Sequence, residues 1–159
     1  MSAQTSHCDV TETLRQAGLA RTTQRVAVLE RLIAAASPLS VRDILEGIRG
    51  TLRINKVTVY RILASFKQGG IVRDVGSCQG IGYFEMACLH NPIHPHFNCR
   101  RCGTVLCMSP LTLSQAWDFF ARPSDFSIEA VDIQITGVCS RCRETNNSNT
   151  VAISREKNP

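Results

Sequence analysis

In the first half of the chain, apolar positions recur at helical spacing in three stretches, preceded by one short helix. Residues 10–17 form a short helix ended by Gly18. Thr22 or Thr23 caps a second helix with Val26, Leu29 and Ile33 on one face, continuing through Ala34–Ala36 until Ser37-Pro38 stops it. Ser40, with Asp43 three residues on, opens a third in the manner of a capping box. Val41, Ile44, Leu45 and Ile48 then fall at i, i+3, i+4 and i+7, and Gly50 closes that helix. Asn55 caps a fourth, from Lys56 to about Gln68, whose core face is Val59, Ile62, Leu63 and Phe66. Thr58, Arg61 and Ser65 fall on its opposite face, flanked by Lys56 and Tyr60.

After Gly69-Gly70 the pattern changes. Ile71–Val75 and Ile81–Glu85 read as two strands around a turn at Gly76-Ser77-Cys78-Gln79-Gly80. Short helices followed by a hairpin are the plan of a winged helix-turn-helix, whose last helix enters the DNA major groove. Leu89 to Pro95 holds Asn91-Pro92 and His94-Pro95, which break regular structure and mark a hinge. Beyond it, His96–Cys99 and Thr104–Cys107 are short strands, and Leu111–Ala121 is helical. Ile128–Val138 alternates as a half-buried strand, with Glu129, Val131, Ile133 and Ile135 sharing the mostly apolar side. The expected fold class is α+β. A winged-helix DNA-binding domain spans residues 1–87, a hinge 88–95, a small α/β metal-binding domain 96–144 and a loose polar tail 145–159.

With 159 residues, 43% of them hydrophobic, the chain can bury a core. No run approaches the 18 apolar residues of a membrane span, and Met1 to Asp9 lacks the apolar stretch of a signal peptide. A cytoplasmic location is therefore expected, where eight cysteines are reduced, metal-bound or reactive rather than paired. Net charge is +5 and unevenly placed. Residues 1–76 hold 11 Lys/Arg against 6 Asp/Glu, whereas residues 77–159 hold seven of each. The excess sits on the half that has the plan of a DNA-binding fold. No Ser-His-Asp set, paired-carboxylate cleft or phosphate loop points to an enzyme.

The densest chemistry lies between Glu85 and Cys107: Glu85, Cys88, His90, His94, His96, Cys99, Cys102 and Cys107. Imidazole and thiolate at such spacings suit zinc best. Cys99-x2-Cys102 and Cys139-x2-Cys142 make a closed structural zinc site, since two residues between thiolates let both sulfurs converge on one ion. The 36 residues between the knuckles exceed a simple ribbon's spacing, so the ion staples the two ends of a small domain. A redox Cys-x-x-Cys pair needs a thioredoxin-like βαβ context, which is missing. His94-x-His96 on extended backbone points both rings one way. A second, regulatory site is expected around His94 and His96, with Cys88 and Glu85 as first partners and Cys107 and His90 in reserve. It bridges the hinge, so binding there couples to the orientation of the two halves.

Thr22-x-x-Arg25, Lys56-Val57-Thr58-Val59-Tyr60-Arg61, Phe84-Glu85, His94-x-His96-Phe97-x-Cys99-x-x-Cys102-Gly103 and Gly137-x-Cys139-x-x-Cys142 together resemble the ferric uptake regulator family of bacterial metal-dependent repressors, over roughly residues 10–143. The resemblance implies a homodimer, joined through the second domain, that binds double-stranded operator DNA when its sensory metal is loaded. It places DNA contacts at Tyr60 and Arg61 on the fourth helix and at Arg21, beside the position of a minor-groove lysine that is Ala20 here; the outer face read from spacing adds Lys56 and Thr58. Many iron and peroxide sensors of the family carry a histidine where this chain has about Pro38, and a carboxylate where it has Cys107. Thiol in place of carboxylate favours zinc over iron(II) or manganese(II) as the regulatory ion. Zinc sensors often draw a ligand from near Arg73, which cannot ligate. The expected function is thus a zinc-responsive repressor of metal-homeostasis genes. The alternatives are an iron- or peroxide-responsive regulator, a thiol oxidoreductase and a zinc-ribbon adaptor without DNA.

Overall fold

The computed structural model describes residues 8–110 and 133–144. The expected helix at Leu111–Ala121 and the first part of the expected strand at Ile128–Val138 lie outside these residues. Four helices come first: α1 (Val10–Gln16), α2 (Thr23–Ile33), α3 (Val41–Ile48) and α4 (Lys56–Gln68). The two-residue strand β1 (Leu39–Ser40) separates α2 from α3. The strands β2 (Val72–Cys78), β3 (Ile81–Met86), β4 (His96–Cys99), β5 (Val105–Cys107) and β6 (Gln134–Gly137) follow.

The last three helices begin where their capping residues predict, and α1 has a cap the sequence reading did not single out, Asp9. The Asp9 carboxylate accepts from the Glu12 amide, Thr22 Oγ1 from the Arg25 amide and Asn55 Oδ1 from the Thr58 amide. At α3 the capping box is complete in both directions between Ser40 and Asp43. Helix α2 stops at Ile33, three residues short of the expected Ala36; Ala34 is its C-cap, and the Ala35 amide tightens onto the Leu32 carbonyl three residues back. The chain then straightens ahead of Pro38 into β1. Its buried face is Val28, Leu29 and Leu32, with Val26 and Ile33 only partly covered. α2 meets α1, α3, α4 and β3, so its contact face lies to one side of the stripe expected from spacing.

One core holds the four helices and the first sheet together. Leu14, Val28, Leu29, Ile44, Val59, Leu63 and Phe66 are its fully enclosed members, and Val72, Phe84 and Met86 close it from the sheet side. That sheet has the order β1-β3-β2. The hairpin turn is tighter than expected. β2 runs on through Cys78 and β3 restarts at Ile81, leaving only Gln79 and Gly80 in the reversal, both at positive φ as a primed turn demands. The extra residue is absorbed by a bulge between Asp74 and Ser77, where Gly76 takes φ +89°. The second sheet has the order β5-β4-β6, with β4 antiparallel to β5 and parallel to β6.

The hairpin tip leans on the turn after β4. Gln79 Nε2 donates to the Arg100 carbonyl at 3.0 Å, Tyr83 OH to the Gly103 carbonyl at 3.1 Å and Cys78 Sγ to the Cys99 carbonyl at 3.8 Å. From β6, Gln134 Nε2 reaches the Val75 carbonyl at 3.4 Å, passing close over Gly76, where a β-carbon would run into it.

Candidate metal centres and nucleic-acid face

The parallel pairing of β4 and β6 builds the four-cysteine cluster. Cys99 ends β4 opposite Gly137 of β6, so the chain leaving β6 brings Cys139 alongside, and the Cys139 amide donates to Cys99 Sγ at 3.4 Å. Cys102 follows in the turn, its sulfur 3.8 Å from that of Cys139, and Cys142 lies in the short helical turn at 140–144. The four sulfurs lie within 4.8 Å of one another. Hydrogen bonds from the Thr104 hydroxyl and amide, then from Cys99, pull the Cys102 thiol down to about 5. Cys142, hydrogen-bonded to Cys139 and partly covered beside the other thiols, is pushed up to about 12. Four sulfurs this close can all be thiolates only beside positive charge, which a tetrahedral cation would supply.

The second cluster joins the two sheets. Glu85 comes from β3, His96 and Cys107 from paired ends of β4 and β5, and His94 from the stretch entering β4. Glu85 Oε2 stands 3.2 Å from His96 Nε2, 3.4 Å from His94 Nε2 and 4.0 Å from Cys107 Sγ. Glu85 and both histidines are buried, and Cys107 opens to the surface. His94 Nε2 makes no hydrogen bond among the described residues although it is enclosed. Its other nitrogen is fixed by the Pro92 carbonyl at 2.8 Å, the arrangement that orients a metal-ligating imidazole. A carboxylate oxygen, two imidazole nitrogens and a sulfur, one of them an orphaned nitrogen aimed at the others, fit a four-coordinate divalent ion. Burial pushes the Glu85 carboxyl up, but bonds from His96 and Arg73 outweigh it and hold the group below the usual carboxylate range. The Cys107 thiol is pushed up to about 11 by burial and by the Glu85 charge.

Sequence reasoning missed the residue that holds this carboxylate. Arg73 lies directly opposite Glu85 in the hairpin register and donates to its Oε1 at 2.6 Å. The same guanidinium also donates to the carbonyls of Asn91 at 2.8 Å and Pro92 at 3.0 Å. Arg73 does not ligate; it leaves Oε2 directed at the histidines and ties down the segment that carries His94.

Cys88 and His90, expected beside His94 and His96, are instead brought to Cys8. A one-turn reversal from Cys88 to Asn91 directs them away from the second sheet, and Cys8 Sγ donates to Cys88 Sγ at 3.4 Å. Nothing in sequence spacing announces this, because Cys8 lies 80 residues upstream.

On α4, Lys56, Tyr60 and Arg61 are exposed, as is Val57, and the Lys56 ammonium lies 5.7 Å from the Tyr60 ring centroid. Thr58 is half-buried, and its hydroxyl and amide both bond the Asn55 side chain, so it serves the helix start. Arg21 is exposed just ahead of the α2 cap.

Residues 16–136 match the ferric uptake regulator family. The chain belongs to the ferric uptake regulator family. As a member it is a metal-responsive transcription regulator, and regulators of this family bind DNA as dimers. The peroxide-responsive repressor PerR of Staphylococcus epidermidis is 29% identical over 135 residues, covering 84% of this chain and 88% of that one. The ferric uptake regulator of Vibrio cholerae superposes with a TM-score of 0.67 at 27% identity, over 82% of this chain and all of that one. A zinc uptake regulator complexed with zinc and DNA shares the fold at 22% identity, TM-score 0.61, over 92% of this chain and 99% of that one. Among the described residues of this family member, no helix is long and apolar enough to cross a membrane.

Proposed function

We propose that this regulator is a zinc-responsive repressor, in which the four-cysteine cluster holds a structural zinc and Glu85, His94, His96 and Cys107 hold the regulatory one. The observation carrying the reading is the second donor set, whose ligand atoms lie within 4.8 Å of one another and come from both sheets. An ion there fixes the β3–β4 connection and with it the angle between the helical half and the second sheet. Residues 1–87 then form the DNA-binding domain, 88–95 the hinge and 96–144 the dimerisation domain. A thiol ligand shifts preference from iron(II) and manganese(II) towards zinc. The bound ion supplies the charge that lets the Cys107 thiolate, both imidazoles and the Glu85 carboxylate share one point. Lys56, Tyr60 and Arg61 meet operator DNA, with Arg21 at its flank.

Homodimer formation is supported by an apolar stripe on the second sheet. Leu106 and Ile135 flank Phe97 in register, and both remain at least 40% exposed in the single chain. The expected burial of Ile135 on the half-covered face then needs a second copy.

The deciding experiment loads metal-depleted protein with zinc, iron(II) or manganese(II) and measures operator binding by anisotropy. Zinc is expected to restore binding at the lowest free concentration. The second reading, a peroxide-responsive regulator, draws on the likeness to the S. epidermidis repressor. It expects iron(II) to restore binding and hydrogen peroxide to abolish it.

A further inference from the structure

The cluster of Cys8, Cys88 and His90 takes no part in either site above. Its three ligand atoms lie within 4.8 Å of one another, and the two sulfurs are 3.4 Å apart. Cys8 immediately precedes Asp9, the cap of α1, while Cys88 and His90 sit in the tight reversal that follows β3. Each partner is held by its surroundings. Val10 of α1 and Cys88 both pack against the helical core, and the Asn91 amide closes the reversal on the Cys88 carbonyl at 2.9 Å. The buried Asn91 side chain anchors the same turn by donating to the Met86 carbonyl at 2.8 Å. Two residues apart in a closed turn, Cys88 and His90 present a sulfur and an imidazole to one point, and the third donor arrives from the other end of the domain.

We propose that Cys8, Cys88 and His90 form a third metal site, for a thiophilic divalent cation such as zinc. Two thiolates and a neutral imidazole against a doubly charged ion give a neutral assembly. Both thiols release a proton when the ion binds. Cys8 and Cys88 are half-buried and His90 is exposed, so water completes the four positions that zinc requires. A disulfide would use the two sulfurs alone, whereas an ion also engages the His90 imidazole. All three donors belong to the helical half or to the turn leaving it. This ion therefore pins α1 to the end of β3, whereas the Glu85 cluster links the two sheets.

The test uses the full chain, reduced and loaded with excess zinc, then freed of unbound metal by gel filtration. Zinc per chain is measured by mass spectrometry for the wild type, Cys8→Ser and His90→Ala. Cys8 is outside the core, so Cys8→Ser is expected to fold and dimerise as the wild type does. The wild type is expected to carry one more ion per chain than Cys8→Ser. That difference holds whether or not the Glu85 cluster is the regulatory site. His90→Ala is expected to bind the same ion at least tenfold more weakly. Cobalt(II) serves as a second probe. Its sulfur-to-metal absorption in the near ultraviolet should fall in Cys8→Ser by the share of two of the ligating thiolates. Equal zinc content in the wild type and Cys8→Ser overturns the proposal. So does a wild type that, under these reducing conditions, yields a Cys8–Cys88 disulfide and no additional ion.

Discussion

Glu85 and Cys107 lie on strands of different sheets, yet Cys107 Sγ is 4.0 Å from Glu85 Oε2. This approach closes the donor set between the two halves, and both histidines converge on the same carboxylate oxygen. His96→Ala at saturating zinc is expected to keep the four-cysteine ion and the dimer but lose metal-dependent operator binding. Anisotropy titrations with and without zinc check this. The coupling at stake is about 1–3 kcal/mol, the ordinary size for a metal switch.

Cys99→Ser or Cys142→Ser is expected to remove one zinc per chain and to destabilise the second sheet. In small zinc peptides such sites contribute on the order of 10 kcal/mol of folding free energy. Metal analysis together with a thermal melt decides it. An unchanged melting temperature at full zinc content would mean that the four thiols do not share an ion.

Arg61→Ala is expected to weaken operator binding by roughly 1–3 kcal/mol if the guanidinium reads a base edge, with metal content and fold intact. Lys56→Ala should instead weaken binding to all sequences alike and lower the slope of log affinity against log salt by about 1. Thr58→Val, by contrast, is expected to act through helix stability, because both polar groups of Thr58 are committed to Asn55. Losing the Thr58 hydroxyl should cost well under the ~1 kcal/mol of a full cap deletion.

In the metal-depleted protein, the Arg73–Glu85 pair sets an acid limit. The folded Glu85 carboxyl titrates below its unfolded value of about 4.3. Its stabilisation is therefore complete above that pH and is lost as pH falls through the lower, folded value. Arg73→Met removes a bond that lowers this pKa, so the loss should begin at higher pH. At pH 7 the variant should also be less stable by about 1–3 kcal/mol, since it leaves a buried carboxylate short of a donor. Urea unfolding at pH 7 and pH 4 in the presence of chelator measures both effects.

Much of this was legible in residue order. Capping residues and 3.6-residue spacing located α2, α3 and α4, because those signals are local and each cap bond forms within three residues. The paired knuckles were legible for the same reason. What sequence reading missed was register. A hairpin turning over Gly76–Gly80 would set Arg73 opposite Tyr83. The bulge at Gly76 and the two-residue reversal at Gln79-Gly80 set it opposite Glu85 instead. Two residues of slip in the pairing thus hid the clamp on the Glu85 carboxylate. Cys88 was expected beside His94 and His96 because it is near them in sequence, whereas the closed turn at Asn91 places it by Cys8. Partnerships across 80 residues leave no periodic trace.

Exposed hairpin tips are where proteases usually enter a folded domain. The tip at Gln79-Gly80 is fastened to the thiol turn by the contacts from Gln79, Tyr83 and Cys78 to the carbonyls of Arg100, Gly103 and Cys99. A protease needs that segment extended in its own cleft, so the tip must first let go of the turn. Chelating an ion held by the four cysteines should therefore expose a cleavage point some twenty residues before the first of them. The proteolytic lifetime of the helical half is then expected to depend on the second sheet.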